Sequence, residues 1–187
     1  MPCLSEGDQQ AMLALARKAI REAVVHRKVL DAIPREGIFS ERRGVFVTLH
    51  LQGRLQGCIG VTEPSEPLGD AVVRCAVSAA LEDPRFAPMK EPQLEGMSIE
   101  ISLLSTLVPI LPEAIEIGRH GLLVVKHDQR GLLLPKVAIE QGLTREQFLE
   151  ETCRKAGLPR EAWKGAEAQI LGFTCEVFSE GSFSQKM

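Results

Sequence analysis

The sequence predicts an α+β fold with a mostly antiparallel sheet, and three observations support this class. Two pairs of apolar, β-branched segments are each separated by a short polar turn, which is typical of β-hairpins. Three other segments carry apolar residues at three- and four-residue spacing, which is typical of amphipathic helices. Because the helices are not regularly interleaved with the strands, a doubly wound parallel sheet is disfavoured.

The first helix is the clearest predicted element. Apolar residues recur at helical spacing from about residue 8 to about residue 29. Ser5 and Asp8 can form a capping box in front of them. We therefore expect one leading amphipathic helix.

A hairpin, a helix and a strand are predicted to follow. Gln52-Gly53 stands where a tight reversal would fall between two β-branched runs, and Pro67 suits the first turn of a helix. The predicted elements are a hairpin over residues 44–51 and 54–61, a helix over about 67–82 and a strand over 98–103.

The second half of the chain repeats this order of elements. Thr144 with Gln147 predicts a capped helix that Gly157 ends, and the alternation over residues 171–177 predicts a final strand. The preceding hairpin is predicted over residues 121–126 and 131–134, with its turn at residues 127–130. The two repeats indicate two lobes, about 1–107 and about 114–187, joined by the proline-rich stretch 108–113, with a cleft between them as the natural place for a site.

Length, charge and composition restrict the function. The 187 residues suit one domain of ordinary size. Lys and Arg total 22 and Asp and Glu total 25, so the formal net charge is −3, and no block of five like charges occurs. This balance argues against a protein that binds nucleic acids or anionic membranes through bulk charge. Hydrophobic residues make up 44% of the chain, which is enough for a buried core.

Targeting signals and cysteine spacing bear on compartment and cofactors. No signal-like run opens the chain, and no apolar run nears the ~18 residues that cross a bilayer, so we expect a cytoplasmic protein without membrane contact. The five cysteines are Cys3, Cys58, Cys75, Cys153 and Cys175, and they form no Cys-x-x-Cys pair. We expect free thiols, no metal site and no cofactor, because zinc-ligand and nucleotide-binding motifs are also absent from the sequence.

The chemistry is expected around Cys58, in the run Leu-Gln-Gly-Cys-Ile-Gly at residues 55–60. Glycine weakens a strand, so Gly57 and Gly60 predict a bulge or the close approach of another backbone or a ligand. In a functional interpretation, Cys58 is a thiolate nucleophile activated by the imidazole of His50 or His120. In the alternative, Cys58 is a small buried hydrophobic residue and the glycines serve packing.

This run resembles the hallmark Leu-Arg-Gly-Cys-Ile-Gly of the AMMECR domain family, with five of six positions matching. The similarity extends in family order over nearly the whole chain, as one domain of residues 1–187. It includes residues 46–60, Asp83-Pro84-Arg85-Phe86, Ile99-Glu100-Ile101-Ser102, residues 118–122, residues 133–137, Trp163 and residues 177–180.

The resemblance implies a two-lobed α+β fold with the hallmark near a cleft. It also implies kinship with protein A of the AmmeMemoRadiSam system, whose partners are a Memo-like protein and a radical SAM protein. Gln56 stands where the family has arginine, and it cannot grip an anion as a guanidinium does. If that arginine binds an anion in relatives, this chain must use Arg54, Arg85 or Arg119 instead, or bind something neutral. Arg54 is two positions from Gln56 and so is expected on the same strand face. In the alternative, the position is a surface site that tolerates either residue.

Two function classes stay open at this stage. In the first class, the protein is an enzyme in which Cys58 is the nucleophile, His120 is the base and Glu100 is the orienting carboxylate. Arg85 is then either a binding residue or a loop clamp through an ion pair with Asp83. In the second class, the protein is a non-catalytic binding or regulatory module that recognises a partner protein or a small molecule. A nucleic-acid regulator is the weakest reading because of the negative net charge.

Overall fold

The computed structural model describes residues 4–63 and 65–183, so Cys3 lies outside the described residues. The helices are α1 Glu6–Arg21, α2 Leu68–Leu81, α3 Pro135–Glu140 and α4 Arg145–Lys155. The strands are β1 Val45–Leu51, β2 Arg54–Val61, β3 Met97–Leu104, β4 Val108–Pro109, β5 Gly121–Lys126, β6 Gln129–Leu133, β7 Gln169–Phe173 and β8 Cys175–Ser179. Every strand pair with a described register is antiparallel, which confirms the α+β class.

The described chain divides into two compact units, each with its own four-stranded sheet. The residues up to Leu104, together with those from Glu176 onward, form the first unit, and Ser105–Cys175 form the second. The strand order is β2-β1-β3-β8 in the first sheet and β4-β7-β5-β6 in the second. The C-terminal strand β8 thus returns to the sheet that contains the Cys58 hairpin.

The prediction of one strand over residues 171–177 is wrong. The chain forms two strands there, β7 and β8, which belong to different sheets. Thr174 separates them: its N–H donates to Oγ of Ser105 at 2.9 Å, and its carbonyl accepts from the N–H of Ser105 at 2.9 Å. These bonds tie Thr174 to Ser105 instead of to a strand ladder, so the chain changes sheets at this residue.

The first helix begins as predicted and ends earlier. The Ser5 hydroxyl accepts from the N–H of Asp8 at 3.1 Å, which confirms the N-cap. After Arg21 the chain makes a π-helical turn, Glu22–His26, and Arg27 then adopts a left-handed conformation with φ of 52°. A left-handed residue ends the helix, so α1 does not reach residue 29.

The first hairpin is confirmed, and its turn residues have the predicted geometry. Gln52 and Gly53 have φ of 51° and 76°, the positive values of a two-residue hairpin turn. The second hairpin is also confirmed, with a shorter turn than predicted. Lys126 pairs with Gln129, so two residues instead of four connect β5 to β6.

The two faces of the first sheet differ in character. One face carries buried aliphatic side chains, which pack with α1 and α2 in a single hydrophobic core. These side chains include Val45, Val47, Leu49, Ile99, Ile101 and Leu103. Because side chains alternate along a strand, the residues between them point to the opposite face. Cys58, Thr48 and Glu100 lie on that second face.

The second unit has a smaller core and two elements that the sequence analysis did not predict. Its core contains Ile115, Leu122, Ala138, Phe148 and Leu149. The capping box of Thr144 and Gln147 is confirmed at the start of α4. The short strand β4 and helix α3 were missed because each is brief and begins or ends at a proline, a residue typical of loops. None of the helices in either described unit is long and apolar enough to cross a membrane.

Candidate functional site

Gly57 and Gly60, which flank the Cys58 position, are both required by close packing. A Cβ atom at Gly57 would overlap the carbonyl oxygen of Ala79 on α2, and a Cβ atom at Gly60 would overlap the ring of Phe46. The predicted close approach is therefore that of a helix backbone and of an aromatic side chain. As a result, β2 lies directly against α2 beside Cys58.

A β-bulge interrupts the pairing of β1 with β2 at Gln56. The register shifts between Leu49 and His50, so that Gln56 is the extra residue of β2. Its Nε2 atom donates to the carbonyl oxygen of Ala87 at 3.1 Å. The side chain that stands in the place of the family arginine therefore holds the loop that follows α2.

This bulge overturns the expected placement of Arg54. Arg54 pairs with Leu51, whereas Cys58 pairs with Thr48. Leu51 and Thr48 are three positions apart on β1 and so point to opposite faces of the sheet. Arg54 consequently lies on the face opposite to Cys58 and Gln56, because the extra residue reverses the alternation that a regular strand would keep.

Cys58, Thr48 and Glu100 form a row across three strands. Thr48 lies directly opposite Cys58 on β2 and directly opposite Glu100 on β3, so the three side chains share one face. The Thr48 hydroxyl donates to Sγ of Cys58 at 3.3 Å, and Thr48 is only 4% exposed. His50 lies two positions further along β1 on the same face and is half-buried. The structure thus places Cys58 and Glu100 on one face of the sheet, on either side of Thr48, which the sequence analysis did not single out.

Asp83 and Arg85 hold the outer edge of β2 at Cys58. The Asp83 carboxylate accepts from the backbone N–H of Cys58 at 2.9 Å and from Nε and Nη2 of Arg85 at 2.9 and 2.6 Å. Nη2 of Arg85 also donates to the carbonyl oxygen of Cys58 at 3.1 Å. Both backbone groups of Cys58 on this edge are therefore bonded. The predicted ion pair of Asp83 with Arg85 is present, and it clamps the edge strand β2, which the sequence analysis did not predict.

Burial and charge fix the protonation of this pair. The Asp83 side chain is 2% exposed and that of Arg85 is 55% exposed. Hydrogen bonds from the Arg85 side chain lower the pKa of Asp83 far below its ordinary 3.8, although burial acts the other way. The side-chain hydrogen bond with Asp83 is the largest cause that raises the pKa of Arg85, and the Cys58 side chain raises it further. A charged guanidinium therefore stands at the backbone carbonyl of Cys58.

His120 and Arg119 lie in the second unit, in the loop before β5. Nδ1 of His120 accepts the backbone N–H of Glu116 at 3.0 Å, so in the neutral ring the proton is on Nε2. Nη1 of Arg119 donates to both carboxylate oxygens of Glu116 at 3.1 Å. Within their unit both side chains therefore stabilise a turn. The pairing of His120 with Cys58 stays a prediction.

The four described cysteines are free thiols that differ in accessibility. Cys75 on α2 and Cys153 on α4 are buried; burial raises the pKa of Cys75 to about 11 and also raises the pKa of Cys153. Cys58 and Cys175 are partly exposed. Cys58 combines partial exposure with a hydroxyl donor to its sulfur and a guanidinium bonded to its backbone carbonyl.

The family model of AMMECR1 matches residues 13–178. This chain belongs to the AMMECR1 family. An AMMECR1 relative from Methanothermobacter thermautotrophicus is 41% identical over 187 residues, covering 95% of this chain and 96% of the relative. Protein MK0488 from Methanopyrus kandleri is 41% identical, covering 95% of this chain and 89% of that protein.

A solved structure supports the same assignment. The crystal structure of the uncharacterized protein PH0010 from Pyrococcus horikoshii matches with a TM-score of 0.87 and 37% identity, covering 95% of this chain and 93% of that chain. The resemblance noted from the hallmark run is therefore confirmed over nearly the full length. Membership of the AMMECR1 family establishes the fold, and the activity has to be argued from the row around Cys58.

Proposed function

We propose that the protein is a cytoplasmic accessory or modification protein of the AMMECR type, and that the Cys58 thiol is its reacting group. The observation that supports this most directly is the surroundings of the sulfur. Sγ of Cys58 accepts from the Thr48 hydroxyl at 3.3 Å, and the charged Arg85 guanidinium donates to the backbone carbonyl of the same residue at 3.1 Å. Partial exposure next to a positive charge is typical of reactive cysteines, whereas structural cysteines are buried and apolar.

The reaction class is nucleophilic attack by the thiolate on an electrophilic carbon. The thiol proton leaves first, to solvent or to a base. The sulfur lone pair then forms the S–C bond, and the leaving group departs with the electron pair of the bond that breaks. Arg85 stabilises the thiolate electrostatically, and the hydrogen bond from Thr48 orients it. Nothing in this step needs an oxidant or a metal.

Alkylation of the folded protein tests the proposal. Treatment with iodoacetamide near neutral pH, followed by peptide mapping, should modify Cys58 first, with iodide as the leaving group. Cys75 and Cys153 should react only after unfolding, because both are buried. Cys175, the other partly exposed thiol, is the internal reference within the same molecule. A Cys58 that reacts no faster than Cys75 in the folded protein would remove the nucleophile.

The association with Memo-like and radical SAM proteins is the second part of the proposal. Its support is the family resemblance, since protein A of the AmmeMemoRadiSam system is of this type. Co-expression of the chain with a Memo-like and a radical SAM protein from one genome should yield a complex that co-purifies. Separate elution of all three proteins at micromolar concentration would count against this association.

A non-catalytic binding or regulatory module is the alternative, and one observation favours it. The N–H and the carbonyl of Cys58 are both bonded to the Asp83 and Arg85 clamp, an arrangement that also serves to seal an edge strand. Cys58→Ser separates the two functions. A thiolate enzyme should lose several orders of magnitude in rate, whereas a binding module should keep its partner with little change.

A further inference from the structure

We propose that a groove along α2 is a self-association surface, through which two copies of this chain form a two-fold symmetric dimer. The groove is lined mainly by α2 and by the strap, which is the segment of residues 27–35 that follows the π-helical turn after α1. Its volume is about 640 Å³. This inference goes beyond the proposed function, because neither Cys58 nor the side chains bonded to it line the groove.

The walls of the groove are largely apolar. They are formed by the aliphatic side chains of Ala23, Val29, Ile33, Val73 and Val77. Val73 and Val77 are four positions apart on α2 and so lie on one face of that helix. Clefts of ~300–1,000 Å³ with mostly apolar walls are typical of binding sites, and this groove has room for several aliphatic side chains.

Val29 lies in the strap at the rim of the groove and is 80% exposed, more than any other large hydrophobic side chain in the described ranges. The strap around it is anchored. Leu30 is 6% exposed and belongs to the core of the first unit, and Nη1 of Arg35 donates to the Asp70 carboxylate on α2. These contacts hold Val29 in solvent, beside apolar walls. An anchored, exposed aliphatic side chain next to an apolar groove is typical of an interaction surface.

The charges on the rim of the groove are only partly paired. Two carboxylates form ion pairs with arginines, Glu66 with Arg74 and Asp70 with Arg35. Glu82, which follows α2, accepts from the Ser78 hydroxyl at 2.7 Å and has no cationic partner among the described residues. Lys28 likewise has no anionic partner among them. The rim therefore offers one cation and one anion to an incoming surface.

These features favour a second copy of the chain as the occupant, because one patch carries both halves of each contact. It has an apolar projection, Val29, and the groove to receive it, and it has a cation, Lys28, and an anion, Glu82. In a two-fold dimer every contact occurs twice. Pairing Lys28 with Glu82 of the second copy thus satisfies both charges in both copies, while each Val29 enters the opposite groove. A different protein would have to present the same projection and both charges in matching positions.

The test measures self-association of the parent chain and of matched variants. Sedimentation velocity from about 5 to about 500 µM should show the parent passing from monomer to dimer. Val29→Asp should weaken the dimer about tenfold or more, because a carboxylate would have to leave water to enter the apolar groove. Leu111→Asp is the matched control, since Leu111 is 65% exposed and lies in the second unit. It should leave the dissociation constant within about twofold of that of the parent.

Charge reversal tests the ion pair between the two copies. Lys28→Glu and Glu82→Lys should each weaken the dimer about fivefold, because each places two like charges together. Combined in one chain, the two substitutions restore opposite charges, and the dissociation constant should return to within about twofold of that of the parent. Both side chains are exposed, so neither substitution should prevent folding, and thermal unfolding checks this for each variant.

Three outcomes would overturn the inference. One is a parent that stays monomeric up to the highest concentration, which would leave the groove to a different protein or to a small molecule. The others are equal dissociation constants for Val29→Asp and Leu111→Asp, and a doubly reversed chain that dimerises no better than the single variants. Cys58→Ser should dimerise like the parent, so a failure of this inference and a failure of the proposed function are distinguishable.

Discussion

Asp83 and Arg85 form a two-point ion pair in which the carboxylate is buried and the guanidinium is half exposed. Nε donates to Oδ1 at 2.9 Å and Nη2 donates to Oδ2 at 2.6 Å. Because the same two side chains also bond the N–H and carbonyl of Cys58, the pair holds the edge of β2 and a positive charge at the Cys58 backbone at the same time.

Removing the guanidinium should destabilise the fold. Arg85→Gln leaves the buried Asp83 carboxylate without its charged partner, and we expect a loss of about 2 kcal/mol in the free energy of unfolding, measured with urea. Arg119→Gln is the matched control, since the Arg119 side chain is 63% exposed and its pair with Glu116 spans one exposed turn. That variant should change stability by less than about 0.5 kcal/mol. Equal effects would mean that Asp83 is not held by Arg85.

The ion pair should also give an acid-dependent stability difference. The pKa of Asp83 is lowered in the folded chain, so above its ordinary value of 3.8 the unfolded and folded carboxyls are both ionised and the stabilisation is complete. Below that value the carboxyl is protonated in the unfolded chain before it is protonated in the folded chain. The free energy of unfolding therefore decreases as the pH is lowered. The advantage of the parent over Asp83→Asn should therefore stay constant from about pH 7 to about pH 5 and shrink between about pH 5 and about pH 3. A constant difference in urea unfolding over this range contradicts the assignment.

Gly57→Ala should be strongly destabilising. The added Cβ would overlap the carbonyl oxygen of Ala79, a backbone atom that cannot move without displacing α2. We expect a loss of about 3 kcal/mol or a failure to accumulate as folded protein. Gly96→Ala is the control, because a Cβ there would lie 3.5 Å from a Leu51 methyl group, an ordinary contact. Similar melting temperatures for the two variants would show that α2 does not press on β2 at this point.

The elements of the first unit were largely predictable because local signals agree with tertiary structure there. The Ser5 cap, the Gln52-Gly53 turn and the periodicity of α2 each specify an element without long-range information. The row of Cys58, Thr48 and Glu100 was not predictable in this way, because it depends on the pairing register of three strands and on a bulge that sequence spacing does not reveal.

Two of the missed features are decided by contacts far along the chain, and a third is decided by a local bulge. Thr174 separates β7 from β8 because it bonds Ser105, which lies 69 positions away. Asp83 accepts from the N–H of Cys58, which lies 25 positions earlier in the chain. Arg54 lies on the opposite sheet face from the one expected because of the bulge at Gln56. A local pattern indicates which side chains alternate, and it does not indicate which backbone groups they meet.

The most direct test of a reactive Cys58 is its iodoacetamide alkylation rate in the folded parent, in Arg85→Gln and in Arg119→Gln, at one pH near neutral. We predict that Arg119→Gln matches the parent and that Arg85→Gln reacts about tenfold more slowly, since the charge that favours the thiolate is gone. Equal rates in all three proteins, or a Cys58 that stays unmodified while Cys175 reacts, would contradict the account.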